Sequence, residues 1–285
     1  MIVQLASLEI RMARSENLPV LPQAVGEIMR LADDPNANQR EMEKAFEQDP
    51  AMTAKILKVA NSAYYGGANV PTIGRAISFL GMSAIRSMVV GISFQQMSMN
   101  RSESRHFDKL VFWQNSLATA IGSRVLAKLK VPAKGEELYC AGMMHDIGIL
   151  IFERFVPKEL DEAIELSNRS GKSLPDAEKE VLGFDHTEVG GILAQKWALN
   201  DLMRNAIRYH LDPKSDGSYF ETTQVVGWAN QIAGLCGFPG HGVAKVPSEA
   251  ELAASIGLPP EQMPIIRQVV TQEIEKIQSS FSIAA

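Results

Sequence analysis

Leu138-Tyr139-Cys140-Ala141-Gly142-Met143-Met144-His145-Asp146-Ile147-Gly148-Ile149-Leu150-Ile151-Phe152 is the stretch on which the fold class turns. Leu138, Ala141, His145, Gly148, Ile149 and Phe152 recur at the three- and four-residue spacing of one helix face. That spacing predicts one helix from about Glu136 to Phe155 with His145 turned toward the core. The apolar run inside it is far too short to cross a bilayer. It also carries adjacent imidazole and carboxylate groups, His145 and Asp146, a pair able to hold a hard or borderline divalent cation.

Helical spacing extends outward from there in both directions, with no sustained strand-like alternation. Val25, Ile28, Met29 and Ala32 form a short stripe after the extended Leu18-Pro19-Val20-Leu21-Pro22. Asn38 with Glu41 reads as a capping box opening a helix through Met42, Ala45 and Phe46. Asp49-Pro50 opens another, through Met52, Ile56 and Val59, that stops before Gly66-Gly67. Thr72 to Leu80 is a short helix closed by Gly81, and Ser83 is the expected cap of the next, with Ile85, Met88, Val89 and Ile92 inward. Asp108 to Leu129 is a long helix ending before Pro132. Asp185 with Glu188 opens a helix whose inner face takes His186, Val189, Leu193 and Trp197, and His210 ends the following helix on the face of Met203, Ala206 and Ile207. Thr222, Val226, Ala229, Asn230 and Ala233 share one later face. Glu249 to Ser280 reads as amphipathic helices split near Pro259-Pro260. The polar stretch Ser98 to Arg105 separates an N-terminal helical part, 1–105, from a helical core, 106–240, with a C-terminal helical extension over 241–285.

Composition narrows the function classes. With 285 residues, 46% hydrophobic and 21% charged, the chain is ordinary for a globular protein. A net charge of -5, with no Lys/Arg cluster, argues against an electrostatic grip on nucleic acid. Met1 to Arg14 is interrupted by Glu9 and Arg11 and lacks the layout of a secretory signal, so no membrane association is expected. Cys140 and Cys236 stand without a CxxC pattern and read as reduced thiols of a cytoplasmic protein.

Several pieces in order carry a resemblance: Leu18 to Pro22, Asp49-Pro50, Lys55-Ile56-Leu57-Lys58-Val59-Ala60-Asn61-Ser62-Ala63-Tyr64-Tyr65, Ile73-Gly74-Arg75-Ala76-Ile77 and Leu80-Gly81. With them the N-terminal half resembles the HDOD domain, the HD-related output domain of bacterial signalling proteins. The second half resembles the helical core of the HD superfamily, and the two together cover about residues 14 to 240. The resemblance implies an all-α, multi-helix HDOD-type fold, with the N-terminal helical subdomain packed on an HD-like core. It also implies a signalling role. Catalytic HD relatives hold a metal with a His, the His-Asp pair and a later Asp. Here His145-Asp146 matches the pair, while Asn115 and Asn230 stand at the early His and late Asp positions. Further His positions of two-metal relatives resemble His186 and His210, but Leu211 follows where a second neighbouring His is common. The Gly-Tyr-Pro signature of the cyclic-di-GMP-cleaving branch is absent, and Gly217-Ser218-Tyr219 does not replace it.

An amide oxygen carries no charge and is a weak ligand for transition ions. Two amides in place of an imidazole and a carboxylate therefore leave a degenerate HD site formed by Asn115, His145, Asp146 and Asn230. The candidate metal ligands that remain are His145, Asp146, His186 and His210. No constitutive cofactor is expected, and a weakly held divalent ion (Fe, Mn, Zn or Mg) is the one the pattern admits. Each residue also has a plainer reading. His145 is equally a core histidine bonded to Asp146 or a backbone carbonyl. His186 beside Asp185 caps and packs a helix start, and His210 complements a helix C-terminus. Asn115 and Asn230 bond each other or His145, and His106 and His241 lie on the surface. The expected function is a stand-alone, non-catalytic signalling module acting on protein partners in trans, with a homodimer through the C-terminal helices as one arrangement. The rival is a metal-dependent phosphohydrolase acting on a nucleotide or cyclic dinucleotide, and a third reading is ligand sensing without hydrolysis.

Overall fold

Side chains and prolines start the helices of the N-terminal part. The computed structural model describes residues 5–14, 23–34, 36–67, 69–99, 103–242 and 246–280, with no strand among them. The expected extended segment Leu18 to Pro22 lies outside the described residues. The first helices are α1 (Leu5–Arg14), α2 (Gln23–Asp33), α3 (Gln39–Glu47), α4 (Pro50–Ala60), α5 (Ile73–Leu80) and α6 (Met82–Ser98). The Asn38–Glu41 capping box opens α3, and Asp49 accepts the Met52 N–H at 2.9 Å to open α4, with Pro50 at its first position. Beyond α4, a single 3-10 turn (Ala63–Tyr65) is held by Asn61, whose amide accepts the Val70 N–H at 2.6 Å and donates to the Val70 carbonyl at 3.0 Å.

Ser83 does not cap α6. The helix begins at Met82, and Gly81 makes the turn with φ 85°. Glycine enters that region without steric cost, so the chain bends by 116° between α5 and α6 within one residue and Ser83 falls inside the first turn. Among the described residues no single helix is long and apolar enough to cross a membrane; α5 and α6 together reach that length and composition, but across this bend.

The rest of the chain forms α7 (Lys109–Lys130), α8 (Gly135–Met144), α9 (Ile147–Phe155), α10 (Pro157–Ser170), α11 (Leu174–Leu182), α12 (His186–Lys196), α13 (Asp201–Tyr209), α14 (Phe220–Leu235), α15 (Glu249–Ile256) and α16 (Gln262–Ser280). Helix α7, capped by Asp108, is the central beam and packs on α8, α14 and α16. Helix α12 lies against α9 and α13, while α6 reaches α8 from the N-terminal part. One continuous apolar core runs through all three expected stretches. Helices α10 and α11 occupy a region where the spacing argument predicts nothing, although Pro157 and Ser173-Leu174-Pro175-Asp176 are start signals. On α14 the buried position is Thr223 rather than Thr222. Helix α16 turns Met263, Ile266, Val270, Ile274 and Ile277 into the chain's own core, and its Glu273 accepts the Tyr64 hydroxyl at 3.2 Å and Arg124 at 3.3 Å.

The largest departure concerns the stretch that opened the sequence reading. No single helix spans Glu136 to Phe155; α8 stops at Met144 and α9 starts at Ile147, with His145 and Asp146 between them. Packing against α12 requires the break. A Cβ on Gly148 would stand 1.9 Å from the His186 carbonyl oxygen, and one on Gly190 would meet Ile207 at 2.9 Å. The bare backbones let α9 and α12 come into contact, and α9 leaves the α8 axis to do so.

Two glycine substitutions are expected to act with opposite sign. Gly148→Ala forces α9 off α12 and is expected to destabilise by about 1–3 kcal/mol. Gly26→Ala, at an exposed position of α2 with nothing within 4 Å of the added carbon, is expected to stabilise by roughly 0.5–1 kcal/mol. Denaturant unfolding of both variants checks the pair.

Candidate metal centre

Consecutive residues on an α-helix point about 100° apart. An unbroken helix would therefore aim His145 and Asp146 at different neighbours. The break brings Asp146 to φ -100° and ψ 20°, and the two side chains meet: His145 Nε2 lies 3.2 Å from Asp146 Oδ2. Helix α12 supplies His186 at its first position, with Nε2 3.1 Å from Asp146 Oδ1. His210, ending α13, places its Nε2 3.3 Å from the same oxygen. All four residues are buried, with Asp146 the most exposed at 8%.

The far side of each ring is held as well. His145 Nδ1 faces the Gly142 carbonyl at 2.8 Å, and His210 Nδ1 faces the carbonyls of Ala206 and Ile207 at 3.2 Å each. His186 Nδ1 lies 2.7 Å from Glu178, whose same oxygen accepts the His186 backbone N–H at 2.9 Å. A carbonyl oxygen can only accept, so Nδ1 carries a hydrogen in His145 and His210, and the Nε2 of each ring is turned toward Asp146. None of the three Nε2 atoms, nor Asp146 Oδ1, has a partner of hydrogen-bond geometry. Lone pairs crowded around a buried carboxylate call for a proton or a cation between them.

A divalent ion fits this arrangement. His145, Asp146 and His210 each offer one ligand atom, and these atoms lie within 4.8 Å of one another. Donors bound at about 2.0–2.1 Å around a tetrahedral ion stand roughly 3.3–3.4 Å apart, close to the separations seen here. Imidazole-rich sets suit Zn, Fe or Mn better than Mg. His186 also reaches Asp146 but stands outside the compact trio. Glu178, which orients it, has no motif in the sequence and is brought up from α11 only by folding. A carboxylate behind a ring nitrogen is the usual support of a metal-bound histidine.

The amides behave differently. Asn115 Nδ2 donates to Asn230 Oδ1 at 3.2 Å and to the Phe238 carbonyl at 2.9 Å, so they tie α7 to α14 and to the loop beyond it. No bond to His145 is found among the described residues. A Cβ on Gly122 would meet Ala229 Cβ at 3.2 Å, which is how close these two helices run. His106 is exposed and pairs with Glu165 at 2.7 Å. His241 is half-buried rather than free on the surface: it stacks on Phe107 with ring centroids 4.9 Å apart and accepts the Asp108 N–H at 2.9 Å, because the loop after α14 folds back over the start of α7. Both cysteines are free thiols.

The electrostatics follow the same geometry. Burial pushes the Asp146 carboxyl upward, but His145 and His186 beside it hold it well below the usual carboxylate range. Burial lowers His186, and Glu178 and Asp146 outweigh it, leaving the ring well above an ordinary histidine. His210 is lowered, chiefly by burial, and Glu178 is raised by burial. Asp185, the cap of α12, is pushed up by burial but brought down to about 2 by Lys179, Thr187 and His186. A cleft of about 590 Å³ opens alongside, and its wall includes Asp146, His186, Asn230 and His241 but neither His145 nor His210.

Comparison with known proteins places this arrangement in context. The HDOD domain family profile matches residues 18–213. The fold superposes on the crystal structure of an HDOD domain protein from Geobacter sulfurreducens with TM-score 0.81 and 22% identity, over 97% of each chain. A provisionally named phosphohydrolase from Shewanella amazonensis SB2B gives TM-score 0.77 and 24% identity, over 97% of this chain and 98% of that one. An uncharacterized protein of Treponema pallidum (strain Nichols) is 24% identical over 226 residues, which span 76% of this chain and 42% of that longer protein.

Two outcomes are expected. Zn²⁺ or Mn²⁺ added to chelator-treated protein raises its unfolding free energy, by about 2.7 kcal/mol at a hundredfold excess over Kd. His145→Ala and His210→Ala abolish the shift and Asn115→Ala keeps it; no shift in the wild type would remove the metal reading. For Asp185, the depressed carboxyl stabilises the fold above its unfolded range near 3.8, and that contribution is lost as the pH falls toward about 2. Asp185→Asn keeps the cap but not the charge, so its deficit relative to wild type at pH 7 is expected to shrink over that interval in acid unfolding.

Proposed function

The chain belongs to the HDOD domain family, and on that premise we propose that it is a cytoplasmic bacterial signal-transduction module that works through protein partners and does not hydrolyse a substrate. One observation carries the non-catalytic reading. The two imidazoles that could share an ion with Asp146 do not line the cleft, which leaves Asp146 as the member of that trio that a molecule in the cleft would meet. The amide pair supports it: Asn115 and Asn230 occupy each other and add no charge with which to hold a second ion. Bound at His145, Asp146 and His210, a divalent cation would neutralise the buried carboxylate and join α8, α9 and α13. Partners are met in trans, and a second copy of the chain is one of them.

The rival reading is a metal-dependent phosphohydrolase. It draws on Asp146 and His186, which do face a cleft large enough for a small molecule. Metal analysis of the purified protein, with phosphodiesterase and nucleotidase assays in added Mn²⁺ or Fe²⁺, separates the two. The expected result is bound or bindable metal with no turnover. Turnover that disappears in His145→Ala would overturn the signalling reading in favour of the enzyme.

A further inference from the structure

The cleft beside Asp146 looks at first like a place for a phosphate, because α12 points its N-terminus toward it. Its own carboxylates have already taken that position. The His186 N–H donates to Glu178 at 2.9 Å, and the Thr187 and Glu188 N–H groups donate to Asp185 at 2.9 and 3.2 Å. The two cations on the wall are engaged too: Lys179 pairs with Asp185 at 2.8 Å, and Arg208 donates to the Thr187 hydroxyl at 3.0 Å. An incoming anion would meet no free amide at this helix start, and of the Lys and Arg residues on the wall only Arg208 lacks an ion-pair partner among the described residues.

The balance of the wall is still negative, with Asp146, Asp176, Asp185, Glu188 and Asp212 set against Lys179, Arg208 and His186. Asp176, Glu188 and Asp212 line the same cleft, and none has an ion-pair partner among the described residues. At the floor, Asp146 is 92% buried by its 8% exposure and its Oδ1 lacks a hydrogen-bond partner. The wall is not only charged. Leu211 is 46% exposed and Val246 40% exposed, both bordering the cleft. Carboxylates beside exposed aliphatic carbon complement a Lys or Arg side chain that has an aliphatic neighbour, and a polypeptide presents both together.

We propose that this cleft docks a basic, partly apolar polypeptide segment of a partner protein, with Lys or Arg side chains among Asp176, Glu188 and Asp212 and an aliphatic side chain on Leu211 and Val246. The inference rests on the signalling reading and gives the partner's surface a chemistry. It requires no step of catalysis and no ion in the cleft.

Fluorescence anisotropy on the full chain tests it, with a labelled short peptide alternating Arg and Leu as probe. The same peptide with Glu for Arg, spermine, inorganic phosphate and AMP serve as competitors. The Arg/Leu peptide is expected to bind and to weaken as salt is raised. Asp176→Asn, Glu188→Gln and Asp212→Asn combined are expected to weaken it about tenfold, the sum expected of three part-exposed charge contacts. Leu211→Ser with Val246→Ser is expected to weaken it several-fold, and thermal midpoints confirm that both variants fold. Unchanged affinity in the charge variant, competition by phosphate or AMP, or spermine competing as well as the unlabelled peptide would overturn the proposal, as would absence of binding. Turnover of a nucleotide together with peptide capture would defeat the signalling reading alone, whereas no turnover and no capture would defeat this inference alone.

Discussion

A carboxylate removed from water costs several kcal/mol unless positive charge or hydrogen donors meet it. Asp146 is such a group, and the helical core is arranged around its compensation. Three imidazoles from three separate places approach its two oxygens, each braced from behind by a carbonyl or a carboxylate. Reaching them dictates the break between α8 and α9, the glycine contact of α9 with α12, and the position of His210 just past the end of α13. Moving any one of these elements would leave a buried charge with fewer partners.

The same constraint bears on function. Asn115 and Asn230 satisfy one another and stitch α7 to α14, while the charge balance is left to Asp146 and its histidines. One compact donor set is consistent with one ion, and its imidazoles lie behind the wall of the neighbouring cleft. Glu178 extends the logic outward. Buried and raised, it fixes His186 from the side facing away from Asp146 and makes α11 part of the centre. The cleft itself inherits a negative wall, since Lys179 and the first amides of α12 are spent on Asp185 and Glu178 and Arg208 alone does not balance the remaining carboxylates.

Local signals in the chain were good guides wherever a single residue acts on its own backbone. Asn38, Asp49 and Asp185 each cap the helix expected of them, and Thr72 and Asp108, expected as first helical residues, prove to be caps, because a side chain reaching two or three residues ahead needs no tertiary help. Ser83 was not needed as a cap because Gly81 turns the chain by itself. The continuous helix through His145 was legible only as an apolar stripe. That stripe keeps its register across the break, and periodicity alone does not register the one residue, Asp146, whose backbone leaves the helix while His145 keeps helical dihedrals. His241 was placed on the surface by its Gly-rich surroundings, and its ring is covered instead because Phe107, far away in sequence, comes up beneath it.

The amino-acid sequence alone determined a helical fold, most of its helices though not α10, α11 or the division of α8 from α9, the HDOD likeness and, through that likeness, the reading of Asn115 and Asn230 at ligand positions. The helices follow from residue chemistry or spacing within a turn or two of backbone, and the amide reading from the family resemblance. Tertiary structure alone decided that His145, His186 and His210 converge on Asp146, that Glu178 supports one of them, that the amides bond each other, and that the cleft wall is negative. Those outcomes depend on helix-to-helix distances set by glycine contacts and by the cost of burying a charge, and such distances are not written in any local pattern.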